Sequence, residues 1–457
     1  VFQSGTPAGF ASRLAGIQGA GATGIQVQNL DPTQSATVLA DFYKQGQTGG
    51  APVGVTRPGV PAGGAVNMYL PSVTELSNGA YAAIISADRQ IAAIARTDWS
   101  SSNAAAIYSN VQPGKQVFVP LAVIKYYGQT SLVSIQNTDT GQVATVNVEL
   151  FAQGDTTAVV TKAYQVQPGS SVTLDLAKDA AFVGVKANTP GGFLGSMKAT
   201  SSVDIGVQSF VDVAASEKAV YAFEGIPDGM LATELIAPLV RKRQLTTVGL
   251  YDTGIAVVNP GATATTVRVH YDGSTGTCAG QSFDEAPVTV AAGSGATIYQ
   301  GASTVLPDGC VASARITSDA PIAAVVLDAK DLTVQGAAYS AVPRNQAARR
   351  GVLPLVRRGH TTMKLTTGIQ LTNVSDELAH FSVMFTPDTN SRGAQGPAGL
   401  SAAIAPRGSY TLYPSADDPV LSVGAFGSAV VTSDQPVVVL VNDISEGVTY
   451  EFTPFWK

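Results

Sequence analysis

Gly254-Ile255-Ala256-Val257-Val258-Asn259 is an apolar, strand-like phrase closed by an asparagine, and it occurs four times. Its companions are Gly24-Ile25-Gln26-Val27-Gln28-Asn29, Ser134-Ile135-Gln136-Asn137 and Gly368-Ile369-Gln370-Leu371-Thr372-Asn373. The asparagines stand 108, 122 and 114 positions apart. Near the end of each unit a tyrosine, Tyr108, Tyr221, Tyr339 and Tyr450, recurs at intervals of 113, 118 and 111. Two distant markers keeping one period identify a copied domain rather than a short solenoid turn. A period of about 115 residues is the usual domain size. The expected units are 1–116, 117–233, 234–348 and 349–457. Four similar domains in tandem predict a rod or tile, which biases function towards scaffolding.

Within a unit, apolar and polar residues alternate over short runs broken by Gly, Pro, Asn and Asp. Val146-Asn147-Val148-Glu149-Leu150 and Thr266-Val267-Arg268-Val269-His270-Tyr271 have the period of two of a strand buried on one face. Pro120-Leu121, Pro238-Leu239 and Pro354-Leu355 open units two to four, where a proline at the first residue of an edge strand loses no ladder bond. Later in the unit, Ser428–Leu440 and Ala312–Val326 each carry Ser-Asp-x-Pro between apolar halves, the pattern of a hairpin. The count is seven or eight strands per unit. The expected fold is all-β, four tandem immunoglobulin-like antiparallel β-sandwich domains. The first unit has no clear Pro-Leu strand: only Phe10-Ala11-Ser12-Arg13-Leu14 stands in its place. Either that segment pairs anyway or the first domain has an open edge.

Only 13% of the chain is charged, against 45% hydrophobic, and the net charge is -6. A surface covered by Gly, Ser, Thr, Gln and Ala repels its copies weakly and suits close packing. No apolar stretch reaches the length of a membrane span. The first residue is Val1 rather than methionine, as expected of a mature form whose leader has been removed. Cys278 and Cys310 both lie in the third unit, and a disulfide is favoured over two free thiols, which places the chain outside the cell.

The order Pro354-Leu355-Val356, Thr367-Gly368-Ile369, Gly408-Ser409, Gly427-Ser428-Ala429 resembles repeats in large secreted and cell-surface proteins of filamentous bacteria. The second unit departs most, with Ser202 where the turn aspartate stands elsewhere. The resemblance implies a surface or filament role and carries no catalytic signature.

Asp139-Thr140-Gly141 and Asp252-Thr253-Gly254 look like the loops of an aspartic protease, but Asp252 precedes its Asn strand while Asp139 follows one; both read as turns. His270, His360 and His380 lie in no HExxH or HxH pattern, and Gly114-Lys115 lacks the spacing of a phosphate loop. No enzyme activity and no cofactor are expected. Asn137, Asp139 and the Gly141 carbonyl could offer oxygens to calcium, a reading disfavoured for want of a DxDxDG run. Asn373-Val374-Ser375 is a formal glycosylation sequon that reads as an ordinary turn. Arg241-Lys242-Arg243, Arg349-Arg350 and Arg357-Arg358 cluster near unit boundaries as candidate junction contacts; without interleaved aromatics they argue against nucleic acid. Of the two tryptophans, Trp99 and Trp456, the first sits in a loop-like context.

The expected function is a secreted structural protein that assembles with itself into a filament, sheath or surface layer. The alternative is an adhesin or carbohydrate-binding array whose partner is cell-surface polysaccharide. Val1, Phe2, Phe10 and Leu14 form the candidate assembly segment, a strand donor to a neighbouring copy.

Overall fold

The computed structural model describes residues 8–10, 21–46, 51–99, 104–213, 220–246, 249–330, 335–360, 364–388, 398–413, 421–444, 449–452 and 455–456. Among them there is no α-helix, only four three-residue 3-10 turns between antiparallel strands. Val1, Phe2 and Leu14 lie outside the described residues.

One pairing scheme recurs along the chain. In the second unit the opening strand is Gly114–Ile124, the Asn strand Gln129–Asn137, the third strand Ala144–Ala152, the outer strand Ala158–Val166 and the short strand Ser171–Asp175. A crossing strand, Phe193–Val213, and a closing strand, Val220–Glu224, complete it. The first half of the crossing strand pairs with the third and opening strands, and its second half with the Asn and closing strands. The other crossing strands are Cys310–Lys330 and Phe426–Ile444. In the first unit the strand is broken into Tyr81–Ala87 and Ile91–Trp99, which pair in different sheets.

The expected hairpin is therefore absent. A hairpin pairs its two halves with each other, but here the backbone groups of each half are taken by different strands. Val431 faces Gly351 and Val383, whereas Leu440 faces Gln370. Ser-Asp-x-Pro marks the passage from one sheet to the other. Its aspartate caps the neighbouring strand: Asp434 Oδ1 accepts the His380 N–H at 2.7 Å, and in the first unit, where the phrase is Ala87-Asp88-Arg89, Asp88 Oδ1 accepts the Thr37 N–H at 2.8 Å. Ser202 does the same for the Thr145 N–H at 3.0 Å, so the divergent unit retains the bond.

The Pro-Leu phrases also sit differently from the expectation. Pro120, Pro238 and Pro354 lie inside their opening strands, where pairing with the crossing strand skips a residue. A bulge leaves one residue unpaired, so the missing proline N–H costs no ladder bond. In the first unit Ala8–Phe10 pairs with Tyr81–Ala87, Phe10 opposite Ala83, so a short opening strand is present.

The four asparagines are structural pins. Asn259 Nδ2 donates to the carbonyls of Thr263, Val290 and Ala291 at 2.8, 3.1 and 3.2 Å, and its Oδ1 accepts the Gly261 N–H at 3.0 Å. Asn29 and Asn373 repeat the whole set, and Asn137 repeats it with two carbonyls. All four are buried, and each ties its strand end to the loop beyond it and to the outer strand.

The tyrosine marker corresponds less closely. Pairing places Tyr108, Phe223, Tyr339 and Phe452 at one register position, counted from the asparagine, and Ala106, Tyr221, Ala337 and Tyr450 two residues earlier. Units one and three thus carry Ala then Tyr; units two and four carry Tyr then Phe. Nor are the cores separate. Buried residues of units one and four form one apolar cluster, and that of unit two includes Ala256, Val258, Ala323, Val325 and Ala338 of unit three.

Candidate functional site

The closing strands of the four units meet. Ala104–Ser109 lies against Val220–Glu224, which lies against Gln335–Ser340, which lies against Thr449–Phe452, which returns to Ala104–Ser109. The outer contacts close in the same sense. The opening strand of unit two packs on the Asn strand Gly249–Val258, that of unit three on Thr366–Asn373, and that of unit four, Ala348–Arg357, on Gly21–Asn29 of unit one. Among the described residues the contacts between these strands form a closed circuit and not an open row.

Alternation at the closing strands makes the close approach possible. Gly336 takes the place beside the Tyr221 ring, where a Cβ would stand 1.9 Å from the nearest ring carbon. Burial first, and then the charge of Asp328 from unit three, push the Tyr221 hydroxyl well above the usual phenol range. Polar ties also cross the seams. Gln136 Nε2 donates to Ala83 O at 3.3 Å, Ser340 Oγ to Glu224 O at 3.2 Å, and Arg344 to Val374 O at 3.1 Å.

A cavity of about 200 Å³ opens where units one, two and three converge. Glu224, Ser109, Asn110, Gln112, Ser340 and Gln346 supply its polar lining; Met230, Leu235 and Val342 are among its apolar residues. Glu224 Oε1 accepts the Ser109 N–H at 2.9 Å and its hydroxyl at 2.7 Å. Desolvation outweighs these bonds and raises the carboxyl above the ordinary glutamate range. Asn110 is 4% exposed, and its Oδ1 has no hydrogen-bond partner. A second, shallower cleft holds Glu234, but Arg344 already pairs with it at 3.4 Å.

Five of the seven basic residues singled out in the sequence bond within their own units. Arg241 and Arg357 are buried and pair with Asp328, at 3.2 Å, and Asp443. Arg241 also stacks 4.6 Å over the Tyr251 ring. At the matching positions of unit two stand Val123 and Val211, both buried. Lys242 donates to the carbonyls of Ser303 and Leu306, and Arg243 pairs with Asp308 at 3.2 Å. Arg358 donates to Leu421 O, Arg349 is exposed and Arg350 is half-buried. Among the described residues a cation that does cross a junction is Arg344, a single arginine that no clustering rule selects.

Cys278 and Cys310 form a disulfide, buried in the core of unit three with Cα atoms 5.1 Å apart. Asp139 is a turn residue, its carboxylate accepting from the Gly141 and Gln142 N–H groups, which holds its carboxyl below the usual range. Asp252 is instead a buried strand residue that accepts the Arg243 N–H, a correction to its reading as a turn. The Asn137 oxygen that could have served calcium is committed to the Asp139 N–H. Asn373 of the sequon is buried, with its amide spent on carbonyls. His270 pairs with Asp284 at 2.7 Å, His380 with Asp434 at 2.9 Å, and His360 packs 4.5 Å from the Phe426 ring. Trp99 ends a strand instead of occupying a loop.

No protein-family model and no curated protein matches the chain. Among solved structures it is similar to Thermotoga maritima 1070, at 19% identity over 24% of this chain and 96% of that one, with a TM-score of 0.21. It is also similar to the Anabaena sensory rhodopsin transducer, at 15% identity over 20% and 92% of the two chains, with a TM-score of 0.16. The major pilin of Streptococcus pyogenes gives 10% identity over 49% and 98%, with a TM-score of 0.12. Likeness this slight carries no argument about function.

Proposed function

We propose that this chain is an extracellular, non-catalytic binding scaffold, four immunoglobulin-like sandwiches closed into one ring that holds a ligand among its units. The observation that carries the reading is ring closure. The strand faces that a tandem rod leaves free at its two ends are here spent on each other, unit four against unit one. A binding module at the cell surface fits this better than a building block that polymerises through those faces. The disulfide supports an oxidising location.

The test is the shape of the isolated protein. A compact 46.7 kDa particle should scatter with a radius of gyration of about 23 Å. Dispersed rods with a much larger radius, or regular polymers in negative stain, would overturn the reading.

Self-assembly is a second reading, and the outer strand Ala158–Val166 favours it, because it ends its sheet. Lys162 stands exposed at the middle of that edge, where a charge discourages pairing with another chain.

A further inference from the structure

We propose that the cavity at Glu224 binds a primary ammonium group carried on a short aliphatic chain. The inference rests on the ring reading, because three units build the cavity.

Of the lining's side-chain donors, the Ser109 and Ser340 hydroxyls are spent on Glu224, which leaves the carboxamides of Asn110, Gln112 and Gln346, and no cation, beside the acid. A carboxylate offers about four acceptor sites, and Ser109 fills only positions on Oε1. Among the described residues no cation lies within ion-pair distance of Glu224. A shielded carboxylate without a counter-charge is costly, and it is relieved either by taking up a proton or by a partner that brings both charge and donors. Asn110 adds a buried carboxamide oxygen that no protein group satisfies. An ammonium has three donors, no acceptor and a positive charge, which suits the open acceptor positions of the Glu224 carboxylate.

The walls select the chain attached to the ammonium. Pro227, Met230, Leu235, Val342 and Pro343 present apolar surface suited to methylene groups. At about 200 Å³ the cavity is the size of several water molecules, at ~30 Å³ each, or of an alkylamine of about four carbons. The register adds an independent argument. Ser109 and Ser340 hold the positions of units one and three that correspond to Glu224, so the acid stands at one place in the ring and its counterparts are neutral.

The experiment is isothermal titration of the full chain with n-butylamine, with Nα-acetyl-lysine amide, and with n-butanol as the uncharged control. Butylamine should bind and butanol should not, and Glu224→Gln should weaken butylamine by about ten-fold or more. Glutamine keeps the size of the side chain and an oxygen for Ser109, so the variant remains folded; its scattering profile is recorded on the same sample. Lysine amide binding alongside butylamine assigns the site to an ammonium on a protein surface, and butylamine alone assigns it to a free amine. No binding to the compact wild-type particle, or equal binding to Glu224→Gln, overturns the proposal while leaving the ring intact. An extended particle overturns the ring itself.

Discussion

Gly336→Ala tests the ring at one atom. The new methyl carbon would stand 1.9, 2.3 and 2.7 Å from Cε1, Cζ and the hydroxyl of Tyr221, whereas non-bonded carbons rest at about 3.5–4.0 Å. Tyr221 is 1% exposed and cannot swing into solvent. Overpacking of this kind costs about 1–3 kcal/mol. Gly336 has no left-handed φ, so alanine also removes about 0.4–1 kcal/mol of unfolded-state entropy, and the net loss should be roughly 1–2 kcal/mol. Tyr221→Ala alone should cost about 3–5 kcal/mol, because it empties a buried aromatic site. The double variant should be more stable than the sum of the two by about 1–3 kcal/mol, the overpacking relieved when the tyrosine ring no longer blocks the methyl. Urea unfolding monitored by circular dichroism, with hydrogen exchange of Val220–Glu224 and Gln335–Ser340, measures the cycle. Additivity within about 0.5 kcal/mol would falsify the contact between units two and three.

Arg357→Val alone should cost about 3–5 kcal/mol, because it leaves Asp443 buried and uncompensated, while Arg357→Val with Asp443→Val should recover most of that loss. Denaturation midpoints decide it, and a double variant no better than the single would sink the parallel with Val123 and Val211. Asn259→Asp turns an oxygen towards three carbonyls and should destabilise by about 3 kcal/mol or more; a loss under about 1 kcal/mol in urea would remove the pin argument. The Glu224 carboxyl is raised above its ordinary 4.5, so the native state keeps a proton that the unfolded chain releases, and stability falls as pH rises above that value. Glu224→Gln should therefore raise the melting temperature at pH 7 and have little effect near pH 4, and an equal gain at both would contradict the desolvation account.

Much of the fold is legible in local chemistry. Asparagine at a strand end, aspartate before proline and alternating valines act over a few residues, and each lies at a regular place in the units. Ser-Asp-x-Pro points the wrong way in sequence, because a bend between sheets and a turn within one sheet use the same residues; only the partners of each half distinguish them. The prolines mislead for a related reason, since a bulge tolerates a missing N–H as well as an edge does. Ring closure is illegible because it depends on pairs such as Gly336 with Tyr221, 115 positions apart, in which a glycine gains meaning only from the aromatic opposite. Glu224 escapes a reading of the sequence because a lone acid without a counter-charge fits no spacing rule. Arg241 and Arg357 are conspicuous as charges, but burial against Asp328 and Asp443 makes them core residues.

The seam between the first and last units has a temporal side. Gly21–Asn29 and its partner Ala348–Arg357 are roughly 330 positions apart in the chain. Closing so long a loop costs only about 0.9 kcal/mol more than closing one of a single unit, since the entropy grows with the logarithm of length. Synthesis is the harder constraint. At ~5–20 residues per second, the face of unit one that awaits Ala348–Arg357 stays uncovered for roughly 15–65 s while the intervening residues are made. Few charges guard it in a chain that is 13% charged. The unit made about 330 residues later is therefore the one that ends the exposure of the first.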